Sequence, residues 1–465
     1  MTLPRVAVVG AGVSGLAAAW ALQRSGRCEA VVLEQAERPG GVLRRGPVPG
    51  GPAGLVVDLG AEAILARRPE GLRLVEELGL SGDVEYPVTT RAAVFSRGAL
   101  HPMPSGTVMG VPGDPAALGG LLDDDEVARA AAEPDGAWAP VDGDVDVASW
   151  VGSRVGPAVV DRLVEPLLGG VYAGHAGRLS LRATVPQLWP AAESGASVVR
   201  AVAERGAGGT AAGGPVFAGL RGGVARLVEA LADRLQVRTR SAVHALEARP
   251  DGFRLLVGAR PAPEVVDVHG VVLALPAPRA ARLLTGVVPA AAEGLAAVRT
   301  ASMALCTVVL PAGTLGGLAD GQPLSGVLVP PVEGRLVKAM TFSSVKWAWV
   351  EEAAHGHDVL RMSVGRDGEE RDLQRPDDDL LAAALADAAA MLGRELAPSA
   401  GLVTRWGGAL PQYGVGHVDL VARVRAAVDE QPGLALAGAT YDGLGIPACI
   451  ASADAAVARV LASLT

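Results

Sequence analysis

The sequence is poor in aromatic residues, in lysine and in cysteine. Of its 465 residues, 15 are Phe, Trp or Tyr, two are Lys (Lys338 and Lys346) against 39 Arg, and three are Cys. The hydrophobic half of the chain is therefore mostly Ala, Val and Leu, which indicates a large soluble core rather than a membrane protein. Because this composition is typical of a GC-rich genome, the many arginines do not by themselves indicate a binding surface.

The three cysteines, Cys28, Cys306 and Cys449, are far apart and odd in number. They form neither a disulfide framework nor a metal-binding spacing, and this favours a reducing cytoplasm. The seven histidines show no metal signature, so we expect no metal. A net charge of −9 argues against a general nucleic-acid-binding surface.

No segment predicts a convincing transmembrane span. The uncharged run over 300–319 is long enough on paper, but Pro311 and Gly313 interrupt it. We therefore expect a buried strand followed by a turn.

The first 35 residues predict a dinucleotide-binding βαβ unit. A strand over Arg5–Val9 runs into the glycine motif GAGVSG, a helix follows to Gly26, and a second strand over 30–33 ends at an acid. In this pattern the first glycine allows a tight turn, the second lets the backbone approach a pyrophosphate, and the third lets helix and strand pack closely. The acid is placed to accept hydrogen bonds from a ribose diol. The residues expected at the dinucleotide are Gly10, Gly12, Val13, Ser14, Gly15, Glu34 and Gln35.

Later glycine-rich segments favour FAD over NAD. Gly40-Gly41 with Arg44 follows the acid within ten residues, and Asp58, Gly60 and Ala61 come next. A strand that ends at Gly438, a glycine loop and a new helix stand near the C-terminus. A second helix N-terminus in the same domain suits the electron-rich edge of a reduced flavin. The further residues expected at a non-covalently bound FAD are Gly41, Val42, Arg44, Gly60, Ala61, Gly438, Gly445, Ile446 and Pro447.

These signals lie at the start, the middle and the end of the chain, which predicts interleaved domains. The predicted fold class is α/β (α+β), with a Rossmann-like FAD-binding domain, a mixed-sheet substrate domain and a helical domain. The stretch EPLLGGVYAG, Glu165 to Gly174, is expected to be too glycine-rich for a stable helix and too irregular for a strand. The predicted boundaries are 1–85, 215–280 and 400–465 for the FAD-binding domain, 86–104 and 281–399 for the substrate domain, 105–203 for the helical domain and 204–214 for a flexible linker.

Four stretches together carry a resemblance to a known family. They are EPLLGGVYAGHAGRLSLRATVPQLW, FAGLRGGVARLVEAL, RWGGALPQYGVGH and GLGIPACIASA. Over nearly its whole length the chain resembles the FAD-dependent protoporphyrinogen/coproporphyrinogen oxidases of haem synthesis, of the oxygen-dependent bacterial type. These belong to the architecture shared by the amine oxidases and p-hydroxybenzoate hydroxylase.

The resemblance implies a reaction in which a porphyrinogen loses six electrons through three hydride transfers to the flavin. Dioxygen accepts the electrons and hydrogen peroxide is released. It implies no dedicated catalytic side chain, since the flavin carries the chemistry. It implies a propionate contact for Arg91, a close approach of the macrocycle to Gly170, cavity walls at Met340 and Phe342, a flavin contact for Trp406 and an adenine contact for the Val243 backbone. Where the family usually has Arg or Lys after the double glycine, this chain has Val42, so Arg44 is the candidate to replace that contact.

The substrate and some partners stay open at this point. Soluble character and GC-rich composition favour coproporphyrinogen III over protoporphyrinogen IX. Flavin amine oxidases, carotenoid desaturases and a non-enzymatic carrier of the same fold are the rival interpretations. Handover of product to a ferrochelatase, peripheral membrane contact, and the oligomeric state cannot be read from the sequence.

Overall fold

The computed structural model describes residues 3–208, 214–318 and 320–464. Its helices are α1 Val13–Ser25, α2 Pro69–Glu77, α3 Asp124–Ala131, α4 Val147–Val155, α5 Pro157–Val159, α6 Glu165–Tyr172, α7 Leu181–Thr184, α8 Trp189–Ser194, α9 Val198–Gly208, α10 Arg226–Ala232, α11 Ala277–Leu284, α12 Pro289–Ala296, α13 Ser343–Lys346, α14 Ala348–Ala353, α15 Asp377–Leu392, α16 His417–Asp429 and α17 Ile446–Ser463.

The strands are β1 Arg5–Val9, β2 Glu29–Leu33, β3 Arg45–Pro47, β4 Val56–Asp58, β5 Ile64–Leu65, β6 Val84–Glu85, β7 Ala92–Ser96, β8 Ala99–Pro102, β9 Thr107–Val108, β10 Val111–Pro112, β11 Phe217–Leu220, β12 Val237–Arg238, β13 Val243–Arg249, β14 Gly252–Val257, β15 Glu264–Val268, β16 Gly270–Leu273, β17 Thr300–Pro311, β18 Gly326–Leu328, β19 Val337–Phe342, β20 His357–Val364, β21 Ala400–Pro411 and β22 Leu434–Leu436.

A parallel five-stranded sheet in the order β12-β2-β1-β16-β22 forms the nucleotide side of the molecule. Its strands are short continuous apolar runs, because helices cover both faces. Helices α1, α10 and α17 pack on one face, and α11, α12 and α16 pack on the other. The predicted βαβ start is confirmed: α1 ends at Gly26, whose φ of 63° gives a left-handed cap.

A mixed seven-stranded sheet forms the second half, in the order β21-β17-β20-β19-β18-β7-β8. One face packs against α15 in a core cluster of aliphatic residues. The other face packs against the β3–β4 segment and α14 near one end, and against α6 beside β18 and β19. Strands β7 and β8 form an antiparallel hairpin, and the uncharged run after 300 is the buried strand β17, as expected. The predicted α/β class is confirmed.

Three of the expected boundaries need correction. β21 was placed with the FAD-binding domain, but all of it pairs with β17 in the seven-stranded sheet. Helices α11 and α12 were assigned to the substrate domain from residue 281 onward, yet they pack on the five-stranded sheet because their apolar faces match it. The expected linker is helical up to Gly208, where α9 ends. Its residues 209–213 lie outside the described residues.

The stretch Glu165 to Gly174 is also different from expectation. It forms α6, which continues a π-helical turn over Val160–Val164 and stops where Ala173 adopts a left-handed conformation with φ of 48°. Tertiary packing of Leu168 and Tyr172 in the helical core overrides the poor helix propensity of the two glycines.

Helix α17 is long and apolar enough, by length and composition, to cross a membrane. However, 61% of that window is buried inside the protein. Its buried side packs against α1 and α2, as a core helix does.

Candidate functional site

The glycine turn between β1 and α1 has the geometry of an anion-binding helix N-terminus. Gly10 has φ of 102°, and a Cβ there would lie 2.4 Å from the Ala274 carbonyl oxygen. A Cβ on Gly15 would lie 1.8 Å from the Gly10 carbonyl oxygen, so strand and helix touch at this point. A Cβ on Gly12 would meet nothing within 4 Å, which leaves this side open for a ligand. The N-terminal N–H groups of α1, from Val13 and Ser14 onward, have no capping side chain from Gly12.

Glu34 lies beside this turn at the end of β2. Its carboxylate accepts hydrogen bonds from the Ala11 N–H at 2.7 Å and the Ala36 N–H at 2.8 Å. These bonds orient the carboxylate, and its remaining lone pairs are free to accept from hydroxyl groups. The Glu34 carbonyl accepts from the Ser241 N–H at 2.7 Å, so the start of β13 at Val243 lies nearby. Gln35 is held at the surface by Arg279.

A second group of backbone turns faces the open side of Gly12. A Cβ on Gly41 would lie 3.3 Å from the Gly12 Cα, and one on Gly60 would lie 1.9 Å from the Val42 carbonyl oxygen. The Arg44 guanidinium stands 5.5 Å from the centre of the Trp406 ring, and the Trp406 indole N–H donates to the Leu59 carbonyl at 2.8 Å. The surface of this region includes three exposed residues: Val42, Arg44 and Ala61.

The C-terminal loop closes the same region. Gly438 has φ of 129°, and a Cβ there would lie 3.8 Å from the Ser14 hydroxyl oxygen. Gly445 precedes α17 and offers no capping side chain, so the first-turn N–H groups of Ile446 and Ala448 are uncapped, while Pro447 at N2 has no N–H to satisfy. Cys449 is 5% exposed and packed in the core, and burial raises its thiol pKa to about 11. A thiol in that state is a poor nucleophile.

These residues fit a bound FAD. One side of the five-stranded sheet carries the uncapped N-termini of α1 and α17 and the oriented carboxylate of Glu34. The glycines on this side either leave open space or touch other backbone. Dinucleotide cofactors are held in this way, with the pyrophosphate at the first helix and the ribose at the acid. The described residues contain no group of His, Cys, Asp and Glu that could hold a metal ion.

One row of side chains runs across the inward face of the seven-stranded sheet. Register aligns five residues on neighbouring strands in one row: Leu328, Ala339, Ser363, Leu305 and Thr404. We call this row the central rung. Four of the five are partly exposed and none belongs to a core cluster. With a strand spacing of about 4.8 Å, the rung is about 19 Å long. Trp406 lies on the same face of β21, two residues beyond Thr404, so the rung starts at the flavin side.

Met340 and Phe342 do not line this face. Phe342 is fully buried and Met340 is 3% exposed, and both pack in the cluster under α15. Side chains alternate along a strand, so Ala339 and Thr341 point inward while Met340 and Phe342 point outward. The expectation that these two residues form cavity walls is therefore corrected.

Arg91 lies at the start of β7 near the edge of the molecule. Its guanidinium is bound to the Asp320 carboxylate at 2.6 Å, and both side chains are 49% exposed. An exposed pair of this kind is weakly held. The Arg91 side chain is thus available at the surface. Among the described residues, no side-chain contact links it to the central rung, and its propionate role stays a prediction.

The glycine pair of α6 faces the far end of the rung. Gly170 is exposed, and a Cβ there would meet only Leu328, at an ordinary 3.6 Å. The protein itself therefore does not require glycine at this position. Tyr172 packs against Tyr413, with ring centres 5.5 Å apart, and burial raises its pKa to about 12. His175 lies between Glu165 and Glu369, at 3.9 Å and 3.7 Å.

Sequence reasoning missed a buried ionic network that joins the loop after β4 to α13 and to β20 of the seven-stranded sheet. The Glu62 carboxylate binds Lys346 at 2.7 Å and Arg361, and accepts from the Trp347 indole at 3.3 Å. Arg361 also donates to the Gly60 carbonyl at 2.5 Å, which ties this network to the flavin-side turn. The scarcity of lysine was the available signal, because the side chains of both lysines, Lys338 and Lys346, are largely buried.

Comparison with known proteins identifies relatives over the whole chain. The profile of the family described as "Flavin containing amine oxidoreductase" matches residues 13–461. The coproporphyrinogen III oxidase of Mycobacterium tuberculosis is 40% identical over 100% of this chain and 99% of its own length. The protoporphyrinogen oxidase of Bos taurus is 30% identical, with 98% of both chains covered.

Solved structures agree on the fold. A crystal structure from Exiguobacterium sp. 255-15, described as a protoporphyrinogen oxidase, superposes with a TM-score of 0.86 at 29% identity over 99% of both chains. A variant of putrescine oxidase superposes with a TM-score of 0.70 at 18% identity over 99% of both chains, which shows the shared fold.

Proposed function

Because the chain belongs to the flavin-containing amine oxidoreductase family, we propose that it is an FAD-dependent oxidase that converts coproporphyrinogen III to coproporphyrin III in haem biosynthesis. The observation that carries this proposal is the 40% identity, over the full chain, to relatives named coproporphyrinogen III oxidase. The central rung and the exposed Gly170 of α6 support it, since the rung runs from Thr404, on the strand that carries Trp406, to Leu328, which lies against Gly170.

Bound FAD supplies a hydride acceptor, used three times per porphyrinogen, with three dioxygen molecules as the final acceptors and three hydrogen peroxide molecules released. The protein's own residues bind and orient. The helix N-termini at Val13 and Ile446 hold the cofactor, and Glu34 holds its ribose. The rung holds the macrocycle flat, and this positioning, rather than an acid or base, is the protein's contribution to the rate.

FAD is bound without a covalent link in this proposal. The one cysteine near the flavin-side residues, Cys449, is buried with its thiol protonated. An amine oxidase that attaches its flavin through cysteine would need that sulfur accessible and ionised.

The reaction is placed in the cytoplasm, which suits three free cysteines. Delivery of the product to a ferrochelatase and a peripheral membrane contact are further partners compatible with the proposal.

The experiment is to mix the purified protein, in air, with coproporphyrinogen III or protoporphyrinogen IX and to follow porphyrin fluorescence against a no-enzyme control. Faster turnover of coproporphyrinogen III, with about three peroxides per porphyrin, is the expected result. Preference for protoporphyrinogen IX would assign the later step instead. If neither reacts above the control while the protein holds FAD, the porphyrinogen assignment fails, and amines and polyenes become the substrates to try.

A further inference from the structure

Two cationic side chains are buried beside the end of the central rung that lies away from the flavin. Lys338 is 2% exposed and is the extra residue of a bulge in β19, immediately before Ala339 of the rung. Arg366 is 3% exposed and follows the end of β20. Its Nη2 donates to the Val329 carbonyl at 3.0 Å, which places it against the strand that pairs with Lys338.

Neither cation is fully paired. Within the described residues the Lys338 ammonium has no hydrogen bond and no ion pair within 4 Å, and the Arg366 Nε is buried with no partner. Arg366 has one carboxylate, Glu369, 3.4 Å away and half-exposed. Burial, and then the charge of Arg366, lower the pKa of Lys338 to about 7, while Glu369 opposes this shift. Unpaired buried charges are costly and are kept where a ligand completes them.

The ionisable groups around the pair include the carboxyls of Glu165 and Glu369, with Asp161 and Asp367 close by. Burial raises the pKa of Glu165 to about 7, and its Oε2 is buried without a hydrogen-bond partner. Burial likewise lowers the pKa of His175, so this ring is mostly neutral at pH 7. Neither Glu165 nor Glu369 hydrogen bonds to the Lys338 ammonium or to the Arg366 Nε, so these two donors stay open to a further acceptor.

The α6 glycines join this cluster to the rung. A Cβ on Gly169 would lie 3.9 Å from the Arg366 Nε, and one on Gly170 would lie 3.6 Å from Leu328 of the rung. A cavity of about 340 Å³ lies on the Glu165 side of α6 and is lined by Asp161, Glu165, Pro331 and Val332. Lys338 directly precedes Ala339 of the rung, so a ligand that extended along the rung as far as Ala339 would have its end beside Lys338 and Arg366.

We propose that Lys338 and Arg366 form the subsite for one carboxylate of the substrate, so that they set its orientation on the central rung. This inference rests on the proposed function, since it takes the carboxylate to be a propionate of the porphyrinogen. A carboxylate there would accept from the free Arg366 Nε and from the Lys338 ammonium, which satisfies both donors at once. Arg91, already paired with Asp320 at the surface, contributes less.

The test compares Lys338→Met with the wild type in three measurements. Binding of coproporphyrin III, followed by quenching of porphyrin fluorescence, should weaken at least about tenfold, a loss typical of one charge-assisted contact. Binding of coproporphyrin III tetramethyl ester, which has no carboxylates, should be the same in both proteins. The thermal midpoint of Lys338→Met should stay level or rise, because an unpaired buried ammonium has been removed.

Two variants serve as controls. Lys338→Arg keeps the charge and should retain most of the affinity, while Arg91→Ala removes a surface cation and should change binding less than Lys338→Met does. If the wild type oxidises coproporphyrinogen III but Lys338→Met binds coproporphyrin III as tightly as the wild type does, this inference alone is overturned. Equal losses for the acid and the ester would also overturn it, as would a lowered thermal midpoint together with weaker binding, since each points to a structural role. A wild type that neither binds nor oxidises these compounds would overturn the proposed function instead.

Discussion

At the scale of single residues, the glycines of the first turn have different reasons to be glycine. Gly15 is required by the protein's own packing, while Gly12 faces open space and has an extended backbone with φ of −72°. We expect Gly12→Ala to leave the thermal midpoint of the apoprotein within about 2 °C of wild type. Its FAD affinity should fall about tenfold, or about 1.4 kcal/mol, because the new methyl group occupies the ligand side.

Flavin fluorescence titration measures the affinity, and circular dichroism measures the midpoint. Gly15→Ala is the matched comparison, and it should destabilise the apoprotein itself because its Cβ would overlap the Gly10 carbonyl. Equal effects of the two substitutions on stability would contradict this division of roles.

Glu62 is a buried carboxylate whose ionisation contributes to stability against acid. Burial alone would raise its pKa, but the charges of Lys346 and Arg361 and their hydrogen bonds hold it at about 2. Its folded-state pKa is thus below the unfolded value of about 4.3. The stability it contributes, on the order of 3 kcal/mol, is complete above about pH 5 and is lost as the pH falls toward 2.

We therefore expect Glu62→Gln to lower the free energy of unfolding by about 3 kcal/mol at pH 7, since it leaves two buried cations unpaired. Urea unfolding at several pH values checks this, and the variant should lose less stability than wild type between pH 5 and pH 3. Glu229→Gln, which removes the partner of Arg45 at the surface, is the control. A variant as stable as that control would show that the network is not held by Glu62.

At the scale of elements, α6 combines poor helix propensity with an open face. Gly170→Ala should stabilise the folded protein by about 0.5–1 kcal/mol, because alanine loses less backbone freedom in a helix and its Cβ meets only Leu328. The same methyl group should raise the KM for coproporphyrinogen III about tenfold if the macrocycle lies against this face. Thermal unfolding and steady-state kinetics measure the two effects.

Gly206→Ala in α9 is the control, because a Cβ there meets nothing within 4 Å, whereas one on Gly170 meets only Leu328 at an ordinary distance. It should stabilise the protein with no change in KM. If Gly170→Ala has the same KM as wild type, α6 does not approach the substrate.

At the scale of the whole molecule, the FAD-side residues come from distant parts of the chain, from Gly10 to Pro447, so cofactor binding should stabilise the fold as one unit. At a free FAD concentration of one hundred times Kd, we expect about 2.7 kcal/mol of added stability. Circular dichroism and tryptophan fluorescence should report the same upward shift in midpoint. Separate shifts for the two probes would indicate that the two sheets unfold independently.

Denaturation should also release the flavin completely, because the Cys449 sulfur is buried and protonated. Acid precipitation followed by absorbance of the supernatant at the flavin maximum checks this. Flavin that remains with the precipitated protein would indicate a covalent link and favour an amine-oxidase type of attachment.

Much of the nucleotide side could be predicted because its signals are local. One βαβ unit contains the first strand, the three spaced glycines and the acid: Gly10, Gly12, Gly15 and Glu34. The position of each glycine in the motif predicts why the backbone needs glycine there. The same holds for the C-terminal glycine loop and α17. These elements appear in the structure with nearly the expected bounds.

The substrate side was predicted less well, because it depends on register and packing. Met340 and Phe342 lie on the face of the sheet that packs against α15. Their side depends on the register in which β19 pairs with β20, which includes the bulge at Lys338. The helicity of α6 was set by its burial in the helical core, against its own propensity. The pairing of β21 with β17 joined residues about one hundred positions apart.

The sequence by itself determined the class of the fold and the family, and it predicts which residues hold FAD, since short-range motifs and resemblance carry these. Only the tertiary structure decided where buried charges meet. Two clusters of charged residues come from separate parts of the chain and are brought together by strand pairing and by the packing of α6. One contains Lys338, Arg366 and Glu165, and the other contains Glu62, Lys346 and Arg361. Charge proximity depends on three-dimensional distance, so no local pattern of residues could have shown it.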